Sequence, residues 1–118
     1  MFSERKSIEG LIYLTSSVLP TEHAFSTRLG GAGTGAFESF NIGANRGDDP
    51  DTVRENYRRW CALFAAGPDD CCVTNQVHGS TVRIVTKEDR HICMGPVPYE
   101  ADGLVTAERN LPIFCFMA

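Results

Sequence analysis

The sequence predicts an α+β fold in which a layered, mixed or antiparallel β-sheet core is flanked by one helix. Short runs rich in β-branched and aromatic residues stand on both sides of a single segment with helical periodicity. These strand-like runs are grouped and do not alternate with helices, which is typical of α+β rather than βαβ architecture. With 118 residues the chain has the size of one domain, so residues 1–118 are assigned to a single domain.

The first half of the sequence predicts two strands and a long glycine-rich loop. The strands are "GLIYLTSS" (10–17) and "HAFST" (23–27), which are ended by Pro20 and Gly30. The following stretch, "RLGGAGTGAFESFNIGANRGDDP" (28–50), contains too many glycines for regular structure. A loop of about 20 residues in a compact domain usually has a function, so this stretch is a candidate binding loop.

Within that loop, "GAGTGA" (31–36) matches the dinucleotide-binding pattern G-x-G-x-x-[GA]. The pattern binds a pyrophosphate only when the loop opens a helix, whose N-terminal N–H groups hold the ligand. The residues that follow show no helical stripe and include Gly43, Asn45 and Gly47. A glycine-rich turn between strands is therefore the favoured interpretation.

One helix is predicted directly after the loop. Asp49 is suited to the N-cap, Pro50 to the first helical position, and Asp51 adds favourable negative charge to the first turn. The helix is expected to end near Gly67, a residue type that favours the position after a helix. Apolar side chains recur at helical spacing and are predicted to face the core: Val53, Tyr57, Trp60, Cys61 and Phe64.

The second half predicts four strands, at residues 71–77, 81–86, 101–106 and 111–118, with 87–100 as a connection. The alternation in "TVRIVT" (81–86) indicates a half-buried strand. It places Val82, Ile84 and Thr86 on one side, which is taken as the buried side.

Composition excludes several classes of function. The formal net charge of −4 argues against nucleic-acid binding, which needs clustered positive charge. No run reaches the about 18 apolar residues of a membrane span, and the N-terminus does not look like a signal peptide. The five cysteines follow neither a disulfide framework nor zinc-finger spacing. A cytoplasmic protein with reduced thiols and small-molecule partners is expected.

The three histidines differ in their surroundings. His23 begins a predicted strand and His91 lies in a polar connection, so both are expected to be hydrogen-bonded within the fold or exposed. His78 lies where a strand ends and is followed by Gly79, which allows a backbone or ligand to approach closely. The residues alone leave two interpretations of His78 open, a structural histidine and a metal or catalytic ligand.

Four segments of the chain stand in a characteristic order: "HAFSTRLGGAGTGAFESFNIG", "GDDPDTVRENYRRW", "NQVHGSTV" and "ADGLVT". Taken together, they resemble the laccase-domain family, also called YfiH-like or multicopper polyphenol oxidase-like proteins. The resemblance covers nearly all of residues 21–118 and implies an incomplete laccase-domain fold. It also implies a zinc-containing purine nucleoside phosphorylase with adenosine deaminase side activity, whose partners are a purine nucleoside and phosphate.

The resemblance assigns roles to particular residues. It implies that His78, in the family's Q-V-H-G motif, is a catalytic metal ligand, for zinc rather than copper. It implies that Arg28 and Asn41 contact the substrate or phosphate. The family often has an arginine where this chain has Tyr57, so the neighbouring Arg58 is assigned to substrate binding as its substitute. The alternative is that Arg58 is a solvated charge on the helix surface without such a role.

The family's other two metal ligands are a cysteine in an A-D-C-x-P motif and a histidine in an H-A-G-W segment. Ala118 matches the alanine of A-D-C, so we expect a fragment without these ligands, and Cys115 lies too early to be one. The apolar strand "LPIFCFMA" is expected to allow self-association through its exposed edge. One alternative is a non-catalytic truncated paralogue that acts through chain association. The other is a copper-dependent polyphenol oxidase, which would need many histidine ligands, whereas this chain has three histidines.

Overall fold

The structure, a computed structural model, describes residues 1–43 and 46–117 of the chain. The chain is divided into two compact units, Met1–Phe64 (the first unit) and Ala65–Ala118 (the second unit). The first unit contains an antiparallel sheet and one helix, and the second contains two pairs of parallel strands. The α+β class with mixed strand pairing is therefore confirmed, whereas the assignment of residues 1–118 to a single domain stays a prediction.

The sheet of the first unit consists of β1 (Phe2–Lys6), β2 (Ile12–Ser16) and β3 (Phe25–Ser26), in that order. Both strand pairs are antiparallel. The predicted strands at 10–17 and 23–27 are confirmed as β2 and β3. The strand β1 shows no apolar alternation in the sequence, because all five of its residues are exposed and three of them are charged.

The helix of the first unit, α1 (Pro50–Ala62), begins as predicted. A side-chain oxygen of Asp49 accepts a hydrogen bond from the backbone N–H of Asp51, 3.2 Å away. The predicted end near Gly67 is wrong, because two i→i+3 hydrogen bonds tighten the last turn directly after Ala62. In the part of the chain that the structure describes, no helix has the length and apolar character needed to cross a membrane.

The predicted stripe on α1 is confirmed for four of its five members. Val53, Tyr57, Trp60 and Cys61 are buried, whereas Phe64 lies beyond the helix end and is half-buried. The ring of Trp60 contacts that of Phe40, with centroids 5.7 Å apart, which brings the middle of the glycine-rich loop against the helix.

The glycine-rich loop folds back on itself. The backbone N–H groups of Ser39 and Phe40 donate to the carbonyl of Arg28, at 3.1 and 2.8 Å. A Cβ at Gly31 would lie 2.2 Å from the carbonyl oxygen of Ser39, so only glycine permits this approach. Within residues 31–36, the regular structure is the first two residues of a 3-10 turn (Gly35–Phe37). The interpretation of this stretch as a glycine-rich turn is therefore confirmed. Asn45 lies outside the described residues.

The second unit contains two pairs of parallel strands. β4 (Cys72–Val73) pairs with β7 (Ile113–Phe114), and β5 (Val82–Ile84) pairs with β6 (Gly103–Val105). All four are shorter than the predicted strands. The first predicted strand, at residues 71–77, is reduced to β4. Side chains that follow Val73 bond to other segments; for example, the Asn75 amide donates to the carbonyl of residue 99. Ala118, at the end of the last predicted strand, lies outside the described residues, and self-association through that strand stays a prediction.

A buried cluster forms the core of the second unit: Cys72, Val85, Tyr99, Ala101 and Leu111. The predicted buried side of β5 is wrong. Val82 and Ile84 are 61% and 74% exposed and Thr86 is exposed, whereas Val85 is only 1% exposed. The reason is that the opposite side of the strand, which carries residues 83 and 85, meets the cluster: the guanidinium of Arg83 stacks on the ring of Tyr99, and Val85 belongs to the cluster itself.

Candidate functional site

His78 lies in the turn that follows β4, and its backbone has a φ of +58°. Residues with a side chain rarely adopt this left-handed conformation, so the surrounding structure must hold it in place. The side chain of His78 is exposed, and its imidazole has no hydrogen-bond partner within residues 1–43 and 46–117. Both ring nitrogens are therefore accessible to a ligand.

The other two histidines are engaged by the fold, as predicted. In His23, Nδ1 donates to the carbonyl of Thr21 and Nε2 accepts from the backbone N–H of Ser16, both at 2.7 Å. The two ring nitrogens of His91 are likewise bonded to main-chain groups. Of the three histidines, His78 alone has an imidazole that no described group occupies.

The turn around His78 is held by a carboxylate from the segment before β6. Oδ1 of Asp102 accepts from the backbone N–H of Val77 at 2.9 Å, and Oδ2 accepts from that of Gly79 at 3.0 Å. Sequence reasoning did not single out Asp102. The available signal was its position in "ADGLVT", an acidic residue directly before a strand-interrupting glycine.

Arg28 and Asn41 lie in the glycine-rich loop of the first unit. The guanidinium of Arg28 is exposed and has no hydrogen-bond or ion-pair partner among the described residues. The side chain of Asn41 is already engaged: Oδ1 accepts from the N–H of Gly43 at 3.0 Å, and Nδ2 donates to Asp48 at 3.2 Å. Their contacts with substrate stay predictions, and the geometry favours Arg28 for such a role.

Arg58 is exposed on α1 and forms ion pairs with Glu9 and Glu55. Hydrogen bonds from Arg58, and then from Arg59, lower the pKa of Glu55 from 4.5 to about 2. The same bonds with Glu55 and Glu9 raise the pKa of the Arg58 guanidinium. Two carboxylates thus balance its charge, so phosphate would have to compete with them for Arg58; its role in substrate binding stays a prediction.

Tyr57, at the position where the resemblance implies an arginine, points into the core. It is 2% exposed, and its hydroxyl donates to the carbonyl of Ile42 at 2.8 Å. A phenol in this place anchors the loop and offers no charge to an anion. The expectation that Tyr57 belongs to the apolar stripe is confirmed.

Asn56 is a residue that sequence reasoning missed. It is fully buried, its Oδ1 accepts from the N–H of Ala32 at 2.8 Å, and its Nδ2 donates to the carbonyls of Asn41 at 2.8 Å and Ser39 at 3.4 Å. The sequence feature that could have identified Asn56 is its place three residues after Val53, which puts a polar amide on the apolar side of the helix. Asn56 therefore fixes the loop that carries Arg28 and Asn41.

A surface cavity of about 380 Å³ lies on the first unit, against one face of the β1–β2 hairpin. Its lining includes Arg5, Tyr13 and His23 together with several serine and threonine residues. Arg28, Asn41 and Arg58 are not part of this lining. The cavity is therefore separate from the loop positions that the sequence assigns to substrate binding.

His78 fits one position in the coordination sphere of zinc, since an exposed imidazole without a competing hydrogen bond is a common zinc ligand. In the described residues it does not belong to a group of three or more histidine, cysteine or carboxylate donors. In the second unit, the sulfur atoms of the buried Cys71 and Cys93 lie within 4.8 Å of each other and are of the type that soft metals prefer. These side chains can act as metal ligands, but His78 by itself is not a complete site.

Comparison with protein families gives one match that covers most of the chain. The model of the family described as multi-copper polyphenol oxidoreductase laccase matches residues 22–118. The match includes all four residues that the sequence assigns to the site. It begins at the residue before His23, after the strands β1 and β2.

Similar curated proteins carry the name purine nucleoside phosphorylase. The one from Corynebacterium glutamicum is 32% identical over 99 residues, which cover 84% of this chain and 39% of that protein. The one from Deinococcus radiodurans is 39% identical over 98 residues, covering 83% and 35%. YfiH of Escherichia coli is 46% identical over 65 residues, covering 53% and 26%. The chain thus spans well under half the length of these relatives.

A solved structure has the same fold. The crystal structure of YlmD from Geobacillus stearothermophilus aligns with a TM-score of 0.77 at 27% sequence identity. The alignment covers 98% of this chain and 44% of that one. The expected laccase-domain fold is therefore confirmed over the length of this chain.

Proposed function

Because residues 22–118 match its model, this chain belongs to the multi-copper polyphenol oxidoreductase laccase family, and we propose on this basis that it forms part of a purine nucleoside phosphorylase. The proposal is supported by relatives of that name at 32 to 46% identity. In the reaction, an oxygen of inorganic phosphate bonds to C1′ of the ribose while the C1′–N9 bond breaks. The purine leaves with the electron pair and takes up a proton, which gives free base and ribose 1-phosphate.

His78 is the residue proposed to bind the metal. The observation that carries this assignment is its exposed imidazole, which has no partner in the described part of the chain, in contrast to the fully bonded rings of His23 and His91. The neutral imidazole offers a nitrogen lone pair, which is the form that binds metals. Zinc, the proposed ion, would supply Lewis acidity at this position.

Arg28 is the residue proposed to contact phosphate. Its guanidinium is permanently charged and offers several N–H donors in a planar fork that matches phosphate oxygens. It is exposed and unpaired among the described residues, whereas the guanidinium of Arg58 already binds two carboxylates. Asn41 contributes by holding the loop in shape, since its amide bonds to Asp48.

Adenosine deamination is proposed as a second reaction of the same protein. It shares the purine nucleoside substrate and would replace the C6 amino group with oxygen from water. Copper-dependent phenol oxidation, which the family description suggests, finds little support in a sequence with three histidines, two of which are bonded within the fold.

The test is made on the gene product in its full length, incubated with inosine with and without phosphate. Release of hypoxanthine that depends on phosphate, followed by chromatography, is the expected result, together with bound zinc measured by elemental analysis. His78→Ala should abolish most of the activity, and Arg28→Ala should mainly raise KM for phosphate. Glu88→Ala, at an exposed position of the second unit, is the matched control.

Hypoxanthine release that does not require phosphate, or oxygen uptake on a phenol in place of phosphorolysis, would overturn the proposed reaction, and an undiminished rate in His78→Ala would overturn the role of His78 in it. Adenosine, assayed in parallel for inosine and ammonia, tests the second reaction separately.

A further inference from the structure

We infer that Asp102 is a positioning residue for His78: the carboxylate of Asp102 holds the turn in the left-handed conformation, in which the imidazole has no partner among the described residues. The inference deepens the proposed function and rests on it for the role of His78 as a metal ligand. The hydrogen bonds of Asp102 join two sequence motifs, "VHG" and "ADG", that lie more than twenty residues apart.

The first support is the geometry of the two hydrogen bonds. One oxygen of Asp102 accepts from the N–H before His78 and the other from the N–H after it, at 2.9 and 3.0 Å. Hydrogen bonds to a charged acceptor are stronger than neutral ones. One of these N–H groups lies in the peptide between residues 76 and 77 and the other in the peptide between residues 78 and 79, so the carboxylate restrains the backbone before and after His78 and with it the direction of the side chain.

The second support is the backbone conformation of His78 itself. A φ of +58° is unfavourable for a residue with a Cβ, and such residues persist only where neighbouring groups hold them. No hydrogen bond to the His78 ring exists among the described residues to do so. The hydrogen bonds from the flanking N–H groups to Asp102 are the restraints that the structure provides.

The third support is the glycine that follows. A Cβ at Gly79 would lie 3.1 Å from Oδ2 of Asp102, which is closer than ordinary contact. The φ of Gly79 is not in the left-handed region, so its own backbone conformation does not require glycine. A methyl group at this position would therefore crowd the carboxylate of Asp102, which would have to shift by a few tenths of an ångström from the place where it bonds to the N–H of Gly79.

The carboxylate is itself attached to a well-fixed backbone. The N–H of Asp102 donates to the carbonyl of Thr81 at 2.9 Å. The preceding Ala101 is fully buried, and its N–H donates to the carbonyl of Asn75 at 3.0 Å. A carboxylate on such a support can orient another side chain, because its own position is determined by the core.

The experiment compares Asp102→Asn with Glu100→Gln in the full-length gene product. The amide that replaces the carboxylate in Asp102→Asn keeps one acceptor oxygen and loses the other, whereas Glu100 is an exposed carboxylate two residues away. Zinc affinity is measured by competition with a chromogenic chelator. We expect Asp102→Asn to bind zinc about ten- to a hundred-fold more weakly, the range found for groups that orient metal ligands, and Glu100→Gln to be unchanged.

A second readout does not depend on metal or activity. In the metal-free protein, hydrogen exchange at the amides of Val77 and Gly79 should be faster in Asp102→Asn and unchanged in Glu100→Gln. Gly79→Ala, which crowds the same carboxylate, should weaken zinc binding in the same direction. The double variant, with Asp102→Asn and Gly79→Ala together, should lose little more zinc affinity than Asp102→Asn alone, because both changes act on the same contact.

The outcomes separate this inference from the proposed function. If His78→Ala abolishes zinc binding while Asp102→Asn and Gly79→Ala leave zinc affinity unchanged, the inference is overturned and the proposed function stands. If His78→Ala leaves zinc binding and phosphorolysis intact, the assignment of His78 as metal ligand fails and the positioning role fails with it, whereas the phosphorylase activity stands. Unchanged amide exchange in Asp102→Asn would overturn the inference independently of both results.

Discussion

The side-chain amide of Asn56, on α1, donates a 2.8 Å hydrogen bond to the backbone carbonyl of Asn41 in the glycine-rich loop. The carbonyl oxygen of the same side chain accepts from the N–H of Ala32 at 2.8 Å. A single buried residue of the helix thus bonds to two parts of the loop that are nine residues apart. The loop therefore has a defined shape although it contains little regular structure.

Replacing Asn56 with alanine should lower the free energy of unfolding by about 2 to 4 kcal/mol, since each buried group left without a partner costs about 1 to 3 kcal/mol. Urea denaturation followed by tryptophan fluorescence measures the change, because Trp60 lies on the same helix. Arg54→Ala, at an exposed position of α1, should stay within about 0.5 kcal/mol of the wild type. Equal stability of the two variants would show that Asn56 does not anchor the loop.

Val85 and Ile84 provide a test of which residue belongs to the core of the second unit. Val85→Ala should cost about 2 kcal/mol, because it removes two buried methyl groups and leaves a cavity. Ile84→Ala should cost less than about 0.5 kcal/mol, since the side chain is mostly exposed. Thermal and urea denaturation measure both changes. A larger effect at Ile84 would mean that the side of the strand predicted from the alternation, and not the side of Val85, is buried.

Tyr99 should make stability depend on pH in alkaline solution. Burial, and then the neighbouring Cys72 thiol, raise the pKa of Tyr99 above its ordinary value of 10.0. The native state therefore keeps this proton where the unfolded state loses it, so the stabilisation is complete below pH 10 and is lost as pH rises further. Ultraviolet absorbance of tyrosinate, compared between wild type and Tyr99→Phe, should show this ionisation well above pH 10.

The same substitution has a separate effect at neutral pH. The hydroxyl of Tyr99 donates to the carbonyl of Val73 at 2.8 Å, and its loss should cost about 1 kcal/mol. In Tyr99→Phe, the part of the alkaline decline that belongs to this residue should disappear. A tyrosinate signal from Tyr99 near pH 10 would contradict the expected effect of burial.

Glu55 should make stability depend on pH in acid. Its pKa is lowered to about 2 by Arg58 and Arg59, so its contribution is complete above pH 4.5 and is lost as pH falls towards 2. The group is about one third exposed, and solvent screening limits the effect of Glu55→Gln to about 0.5 kcal/mol at pH 6. Urea denaturation at pH 6 and pH 3, in low and high salt, measures the difference between the variant and the wild type.

That difference should shrink at pH 3, because the unfolded state takes up the proton below pH 4.5 while the native state does not, and in 1 M salt, because screening weakens the ion pairs. Glu88→Gln, whose side chain is exposed and makes no ion pair in the described chain, is the control and should show neither dependence. A Glu55→Gln effect that is the same at pH 6 and pH 3 would mean that the two arginines do not stabilise the carboxylate.

The start of α1 and the site residue His78 show what could be predicted locally. Asp49, Pro50 and Asp51 are adjacent, and the capping bond between them needs no distant partner, so the helix start was predicted to the residue. His78 could be singled out from its strand-end position, the following glycine and the resemblance of its motif. Asp102 could not, because its hydrogen bonds join residues that are 23 and 25 positions apart.

The α+β class, the capped helix, the approximate positions of six of the seven described strands and the family could be predicted from the sequence, since each depends on neighbouring residues or on motifs that stand in order along the chain. The strand β1 could not, because its exposed and mostly charged residues show no apolar pattern. The folded structure was needed to show that Val85 rather than Ile84 enters the core, that Asn56 anchors the loop and that Asp102 holds the turn of His78. Each of these outcomes depends on the packing or hydrogen bonding of segments distant in sequence. Alternation and composition contain no information on which distant segment will meet a given side chain.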